Sequence, residues 1–116
     1  MIENGNGAIN IIIYCNSTIS IGSSFGINKA ISILFDVGSD IQLNSINFSY
    51  FNDNAIINLS RLTSLTSIII NSINEPEIVY PENNLDKLTN LELNKCNLNL
   101  IDLSGMVGLE IFKNIV

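Results

Sequence analysis

The densest group of side chains with catalytic or metal-binding chemistry is a set of carboxylates around two prolines: Glu75, Glu77 and Glu82. Paired carboxylates can act as general acid and general base, and clustered carboxylates bind Ca²⁺. The spacing of these three matches no known calcium-binding frame, and the prolines favour an exposed loop. We therefore interpret the cluster as a solvated, charged loop, with calcium binding as the alternative.

Nucleophilic catalysis lacks its usual base, because the chain contains no histidine. Cys15 and Cys96 lie in no metal-ligand spacing, and we expect them to be two buried thiols, too far apart for a disulfide. The glycines of 22–26 are not followed by the Gly-Lys-Ser/Thr of a phosphate-binding loop. The sequence therefore predicts a non-catalytic chain without cofactor or metal. The alternative is a carbohydrate-active β-helix enzyme that uses carboxylates.

Length and composition predict one folded domain or a piece of one. The chain has 116 residues, of which 47% are hydrophobic and 14% charged, a balance too apolar for intrinsic disorder. The net charge is −6, and the five Lys and Arg residues are scattered, which argues against nucleic-acid binding. No apolar run approaches the roughly 20 residues that span a bilayer. The N-terminus also lacks the pattern of a signal peptide.

The residues used most often are those of strands and turns, with 22 Ile and 19 Asn. Ile suits a pleated sheet, and Asn tolerates left-handed turns. Alternating apolar residues predict strands over Ile9–Cys15, Ile19–Ile21 and Ile31–Phe35. Single helical turns are predicted in Asn84–Leu88 and in Ile56–Leu65, so we expect little helix overall.

Apolar residues from position 41 onward recur at spacings of 3, 2, 3 and 2. The clearest coil is Leu88-x-x-Leu91-x-Leu93-x-x-Cys96-x-Leu98, and a second begins at Met106 and continues through Leu109, Ile111, Asn114 and Val116. Two partial matches come earlier, one at Ile41, Leu43, Ile46 and Phe48, the other at Leu65, Ile68, Ile70 and Ile73. We take Ile41, Ile68, Leu91 and Leu109 as equivalent positions. Spacing of this kind is typical of a solenoid whose coils bury their apolar sides against one another.

This spacing resembles the leucine-rich repeat family, with Ile often replacing Leu. Cys96, and Asn114 one coil later, stand where that family's eleven-residue frame has Asn or Cys. The resemblance covers about 41–116, a repeat array that we expect to be truncated within a longer protein. Residues 1–40 are expected to form a strand-rich N-terminal cap or degenerate repeats. The fold class that follows is mainly β with short helical or 3-10 turns: a leucine-rich repeat solenoid with a parallel sheet on one face.

The resemblance implies a module that binds a protein partner through its concave sheet, as in cell-surface receptors and adhesion proteins. The outward strand positions, predicted to bind the partner, are Ser67, Ile69, Asn71, Asn90, Glu92, Asn94, Glu110 and Phe112. The alternative function is a scaffold or cap segment of a larger solenoid protein.

Glycosylation sequons begin at Asn16, Asn47 and Asn58, a number that chance alone gives in a chain so rich in Asn, Ser and Thr. They are compatible with an extracellular location as part of a longer protein. A complete chain without a signal peptide would instead be cytoplasmic. The sequence leaves the compartment open.

Overall fold

The computed structural model describes residues 8–21, 32–49, 53–98 and 101–115. Its regular elements are nine strands and one short 3-10 helix. The strands are β1 (Ala8–Ile13), β2 (Ser17–Ile21), β3 (Ser32–Val37), β4 (Leu43–Ser49), β5 (Ile56–Asn58), β6 (Ser67–Asn71), β7 (Glu77–Val79), β8 (Asn90–Asn94) and β9 (Ile111–Ile115). The 3-10 helix is Glu82–Lys87, between β7 and β8.

The strands form two parallel sheets through which the chain passes alternately. The four-stranded sheet has the order β1-β3-β5-β7, and the five-stranded sheet has the order β2-β4-β6-β8-β9. Four successive coils place one strand in each sheet, and β9 adds a fifth strand to the second, so the molecule is a parallel β-solenoid of about four turns. The predicted mainly-β solenoid with a parallel sheet is confirmed at this level, and a second sheet, which the sequence did not predict, accompanies it.

Inward residues of successive coils stack on one another to form the core. In the five-stranded sheet one inward column runs Ile19, Ile46, Ile68, Leu91, Phe112. Ile68 and Leu91, in its middle, are completely buried. Phe35 from the other sheet stacks on Phe48, with ring centroids 5.5 Å apart. Burial of these inward side chains drives the stacking of coils, because no coil can bury its apolar side alone.

The register of the coils differs from the predicted one. Leu91 pairs with Phe112, not with Leu109, and Ile68 pairs with Ile46, not with Ile41. The intervals along the inward column are therefore 27, 22, 23 and 21 residues, more even than the spacing expected from the sequence.

A repeated spacing of three explains the slip at the C-terminal end. A turn precedes β6, β8 and β9, closed by Leu65 N–H donating to Leu62 O, Leu88 N–H to Leu85 O, and Leu109 N–H to Met106 O. These three coils thus carry three apolar residues at intervals of three, the last being the first inward residue of the strand. The predicted alignment shifted this series by one step. Leu109 is equivalent to Leu88, and Phe112 to Leu91.

Most of the strands and turns predicted from the sequence are present, and one predicted helical turn is not. The short strands near positions 9, 19 and 31 are present as β1, β2 and β3, and the helical turn near Asn84 is present as the 3-10 helix. The helical turn predicted over Ile56–Leu65 is wrong, because Ile56–Asn58 is strand β5. Residues before and after position 40 contribute strands to both sheets. The division of the chain at residue 40 stays a prediction.

Candidate functional site

Most of the cross-strand side-chain hydrogen bonds lie on the outward side of the five-stranded sheet, which we call the outer sheet face. Period-two alternation in each strand sends alternate side chains away from the core. Register then sets these side chains in rows across the strands. The residues of the face are Thr18, Ser20, Ser45, Asn47, Ser49, Ser67, Ile69, Asn71, Asn90, Glu92, Asn94, Ile111, Lys113 and Ile115.

A ladder of carboxamides crosses this face. Asn94 Nδ2 donates to Asn71 Oδ1 at 2.9 Å, and Asn71 Nδ2 donates to Asn47 Oδ1 at 2.9 Å and to Ser49 Oγ at 3.3 Å. Asn94 and Asn71 are paired across β8 and β6, whereas on β4 Ser49 is the residue opposite Asn71, and Asn47 accepts the bond diagonally. Stacked amides polarise one another and hold fixed rotamers. The face therefore presents these groups in a single arrangement.

A second polar network centres on Asn90. Its Nδ2 donates to Ser67 Oγ at 2.9 Å and to Glu92 Oε2 at 3.0 Å. The other carboxylate oxygen of Glu92, Oε1, lies 3.5 Å from Lys113 Nζ. Glu92 is thus held on both sides, and its charge is paired with that of Lys113.

Ile69 is the apolar residue between these two networks. It pairs with Asn47 on one side and with Glu92 on the other. Its partial burial leaves part of the side chain open to solvent. An apolar side chain ringed by fixed polar groups is the arrangement of a small interface centre with its polar rim.

Both polar rows end at β9. Within the described part of the chain, the Oδ1 atoms of Asn90, Asn94 and Asn114 are buried and have no hydrogen-bond partner. For Asn90 and Asn94 the reason lies in register, because Ile111 and Ile115 occupy the next places in their rows and cannot donate from their side chains. In these two rows, therefore, the side chains change from amide on β8 to aliphatic on β9.

Six of the eight residues predicted to bind a partner lie on the outer sheet face: Ser67, Ile69, Asn71, Asn90, Glu92 and Asn94. The predicted outward positions of the other two are wrong, because of the slip in register. Phe112 belongs to the inward column beside Leu91, and Glu110 precedes β9, where its N–H donates to Thr89 O at 2.8 Å. Partner binding by any of the eight stays a prediction.

The sequence-based argument missed the outer-face residues of β4 and β9. These are Ser45, Asn47, Ser49, Ile111, Lys113 and Ile115. The sequence did contain a pattern that could have given the correct register of β9. It is the series of three apolar residues, spaced by three, whose last member is the first inward residue of a strand. Aligning Leu62, Leu85 and Met106, which begin that series in three successive coils, places Lys113 beside Glu92.

Asn114 does not occupy the place of Cys96, which the repeat frame had assigned to it. It pairs with Leu93 in an inward column, and its Nδ2 donates to Leu98 O at 3.0 Å. Cys96 is buried, and its thiol donates to Ile70 O at 3.5 Å. Burial raises the pKa of the Cys96 thiol. Cys15 and Cys96 are both free, but Cys15 is only partly buried, so the prediction of two buried thiols holds for Cys96 alone.

The sequons lie on three different parts of the coil. Asn16 is exposed in the turn before β2, where its Oδ1 accepts from Gln42 N–H at 2.8 Å. Asn47 sits in the carboxamide ladder, and Asn58 ends β5 with its Oδ1 accepting from Ser60 N–H. Glycosylation at these three positions stays a prediction.

Glu77 lies in strand β7, and Glu75, nearby, has a left-handed backbone with φ of 49°. In the ranges that the structure describes, no three His, Cys, Asp or Glu residues are grouped so as to hold a metal ion.

No helix in the described part of the chain has the length and apolarity needed to cross a membrane.

An open cavity of about 450 Å³ adjoins β7, lined mainly by apolar residues that include Ile78, Tyr80, Leu85 and Met106. Burial at its wall raises the pKa of Tyr80 to about 12. Asp102, also in the lining, accepts from Ser104 N–H and Oγ–H, bonds that lower its pKa. The cavity thus offers an apolar wall with one ionised carboxylate at its rim.

Comparison with known proteins finds no match among family models, curated protein sequences or solved structures. The protein is a parallel β-solenoid with two sheets and an amide-rich outer face.

Proposed function

We propose that this chain is a non-catalytic protein-interaction module that binds a protein partner through the outer sheet face. The observation that carries the proposal is the fixed arrangement of Ile69 between the carboxamide ladder and the Glu92 network. Interfaces draw their energy from a small apolar centre surrounded by polar groups that exclude water. This face has that composition on a rigid sheet.

Preorganisation supports the proposal. Ordering a flexible polar side chain on binding costs about 0.5–1.5 kcal/mol for each residue. Asn71 and Asn90 are already held by hydrogen bonds across strands, and Glu92 is held by Asn90 of its own strand and by Lys113 of β9, so a partner meets them in their final rotamers. The aligned amides have both donors and acceptors, which suits the polar backbone and side chains of another protein.

We further propose that the solenoid is of the leucine-rich repeat type. All four of its intervals, 27, 22, 23 and 21 residues, lie within the roughly 20–29 residues of that class. Leu88, Leu91, Leu93 and Cys96 are all buried, as the repeat frame requires. The return segments β5 and β7 are short strands in place of the helix that longer repeats carry.

The experiment compares one substitution on each sheet. Ile69→Lys places an ammonium beside Glu92 on the outer sheet face. Ile56→Lys places one beside Glu77 on the outward side of the other sheet, in the same paired geometry. The immobilised chain and both variants are used to capture proteins from an extract of the source cells, and captured proteins are quantified by mass spectrometry.

We expect at least one captured protein to bind the parent chain and the Ile56→Lys variant equally, and to lose tenfold or more of its binding to Ile69→Lys. Loss in both variants, or in neither, contradicts binding through the outer sheet face. Circular dichroism of both variants establishes that the sheets remain folded.

One observation favours a second candidate, a structural segment of a larger solenoid. Phe112 belongs to an inward column, yet 40% of its surface is exposed at the end of the sheet. A scaffold of this kind has no ligand on its outer sheet face. It therefore predicts identical capture by the parent chain and by both lysine variants.

A further inference from the structure

The cavity beside β7 lies where the two sheets differ in length. Among the strands that the structure describes, the four-stranded sheet ends at β7, whereas the five-stranded sheet continues to β9. The coil that contains β9 passes β7 through a turn in 101–106 and not through a strand. Ile78 and Tyr80 pack against the core but remain partly buried, because no strand covers them on this side. They form one wall of the cavity of about 450 Å³.

The walls of the cavity come from two successive coils. β7 and Leu85 of the 3-10 helix belong to one coil, and Leu98 and Met106 belong to the next, which goes on to form β9. The turn before β9 is closed by Met106 N–H donating to Leu103 O at 3.1 Å. Gly105, with φ of 80°, brings this turn against Leu85, since a methyl group there would lie 3.3 Å from Leu85 Cδ1. The cavity is therefore preformed.

Asp102 is the one charged residue among the described residues that line the cavity. Its Oδ1 accepts from Ser104 N–H at 2.9 Å and from Ser104 Oγ–H, so the carboxyl group is held in place. Both bonds lower the pKa of Asp102 and keep it ionised. In the described part of the chain its Oδ2 has no hydrogen-bond partner, and the two ion pairs found there involve other residues. The carboxylate thus has an oxygen available to a ligand.

The rest of the lining is mainly apolar and carries no charge at neutral pH. Burial raises the pKa of Tyr80 to about 12, so its hydroxyl keeps its proton. The ring of Tyr80 and the thioether of Met106 both make favourable contacts with aromatic groups. A metal ion would find a single carboxylate here, whereas hard cations need six or more oxygen ligands. One negative charge beside an apolar wall instead suits an organic cation.

We propose that this cavity binds a small hydrophobic amine in its protonated form, with the ammonium group on Asp102 Oδ2 and the apolar body against Ile78, Tyr80 and Met106. An ammonium donates a charge-assisted hydrogen bond to a carboxylate. Ligand cavities usually measure about 300–1,000 Å³, and an apolar cavity of about 150 Å³ already holds benzene. The space therefore accommodates an aromatic ring with a short aliphatic chain. The cavity adjoins the four-stranded sheet, so the proposal stands apart from binding at the outer sheet face.

The test uses three probes with the same apolar body and different head groups: phenylbutylamine, phenylbutanol and phenylbutyrate. Nuclear magnetic resonance titration of the isotope-labelled chain measures the affinity of each. For a ligand of this size at an open site we expect the amine to bind in the millimolar range, tenfold or more tighter than phenylbutyrate. Nuclear Overhauser contacts should join the aromatic protons of the amine to methyl groups of Ile78, Leu85 and Met106.

Two substitutions of equal charge isolate the contribution of Asp102. Asp102→Asn keeps the shape of the side chain and an oxygen that accepts from Ser104, and it should weaken phenylbutylamine binding threefold or more. Its affinity for phenylbutanol should stay within twofold of the parent, which shows that the cavity is intact. Asp40→Asn removes the same charge from an exposed turn between β3 and β4, so it should change amine binding less than twofold. The probe series on the parent chain needs no variant to fold.

Several results would overturn the proposal. Equal affinities for phenylbutylamine and phenylbutyrate, or equal losses in Asp102→Asn and Asp40→Asn, would show that no ammonium binds at Asp102. Unchanged cavity signals at about 10 mM amine, or aromatic protons that contact other methyl groups, would show that the amine binds elsewhere or not at all. A blocked lysine has the same butylammonium chain without the ring. If it bound as tightly as phenylbutylamine, the cavity would be a site for a lysine of a partner protein and not for a hydrophobic amine.

Discussion

Asn94 Nδ2 donates to Asn71 Oδ1 at 2.9 Å across adjacent strands of the same sheet, so a carboxamide bond ties one coil to the next. Asn71 repeats the contact with Asn47 one coil earlier. The ladder therefore links three coils through their outer side chains, in addition to the backbone ladder and the core. The same side chains therefore contribute to stability and form part of the surface that we propose binds a partner.

The first prediction concerns the middle of that ladder. Asn71→Ala removes the partner of Asn94 Nδ2 and of Asn47 Oδ1, so it should lower the free energy of unfolding by about 1–2 kcal/mol. The matched control, Asn44→Ala, alters an exposed side chain of β4 and should change stability by less than about 0.5 kcal/mol. Urea unfolding followed by circular dichroism measures both. Equal costs would show that the ladder adds nothing.

The second prediction compares two neighbours in the inward column. Leu91 is completely buried between Ile68 and Phe112, so Leu91→Ala should cost about 2–5 kcal/mol. Phe112→Ala should cost less than about 2 kcal/mol, although it removes a larger side chain, because 40% of that side chain is already exposed. Urea unfolding at low protein concentration supplies both values. A larger cost for Phe112 than for Leu91 would mean that the end of the sheet is covered.

The third prediction concerns the close approach of the last turn to the 3-10 helix. A methyl group at Gly108 would overlap the carbonyl oxygen of Asp86, so backbone must move, and Gly108→Ala should cost about 1–3 kcal/mol. The atoms nearest to a methyl group at Gly38 belong to the ring of Tyr14, which is 74% exposed and can rotate away. Gly38→Ala is therefore the control, with an expected cost below about 0.5 kcal/mol. Similar melting temperatures for the two variants would contradict this packing.

The fourth prediction is a dependence of stability on alkaline pH. Burial raises the pKa of Tyr80 from 10.0 to about 12, so between these values the folded state holds a proton that the unfolded state has released. The stabilisation is complete below pH 10 and is lost as the pH rises towards 12. Tyr80→Phe should lose less stability than the parent chain between pH 9 and pH 11, since Phe does not titrate. Parallel loss in both proteins would assign the effect to other groups.

Much of the architecture was predictable because a single physical rule generates it. Alternating Ile and Leu residues must bury one side, and the return of the same pattern at intervals of 21–23 residues leaves room for the crossover that parallel pairing of successive coils requires. That reasoning gave the strand at Leu91 and six of the eight proposed surface residues. It rested on local periodicity, which a sequence displays directly.

Local periodicity could predict neither the register between coils nor the presence of the second sheet. Leu85, Leu88 and Leu91 are spaced by three, as are Met106, Leu109 and Phe112, so a slip of one step preserves the pattern and still moves Phe112 to the wrong side. Backbone pairing and turn bonds, such as Leu109 N–H to Met106 O, decide between the alternatives. Strand β5 has three residues, too few for period-two alternation to distinguish it from a turn.

The most direct test of the account is the pairing of β8 with β9 in solution, because the arrangement of the outer sheet face depends on it. Isotope-labelled protein in nuclear Overhauser spectroscopy should show backbone contacts across the strands that place Leu91 beside Phe112 and Glu92 beside Lys113. Backbone contacts that place Leu91 beside Leu109, or Leu93 beside Ile111, would contradict the register and with it the proposed outer sheet face.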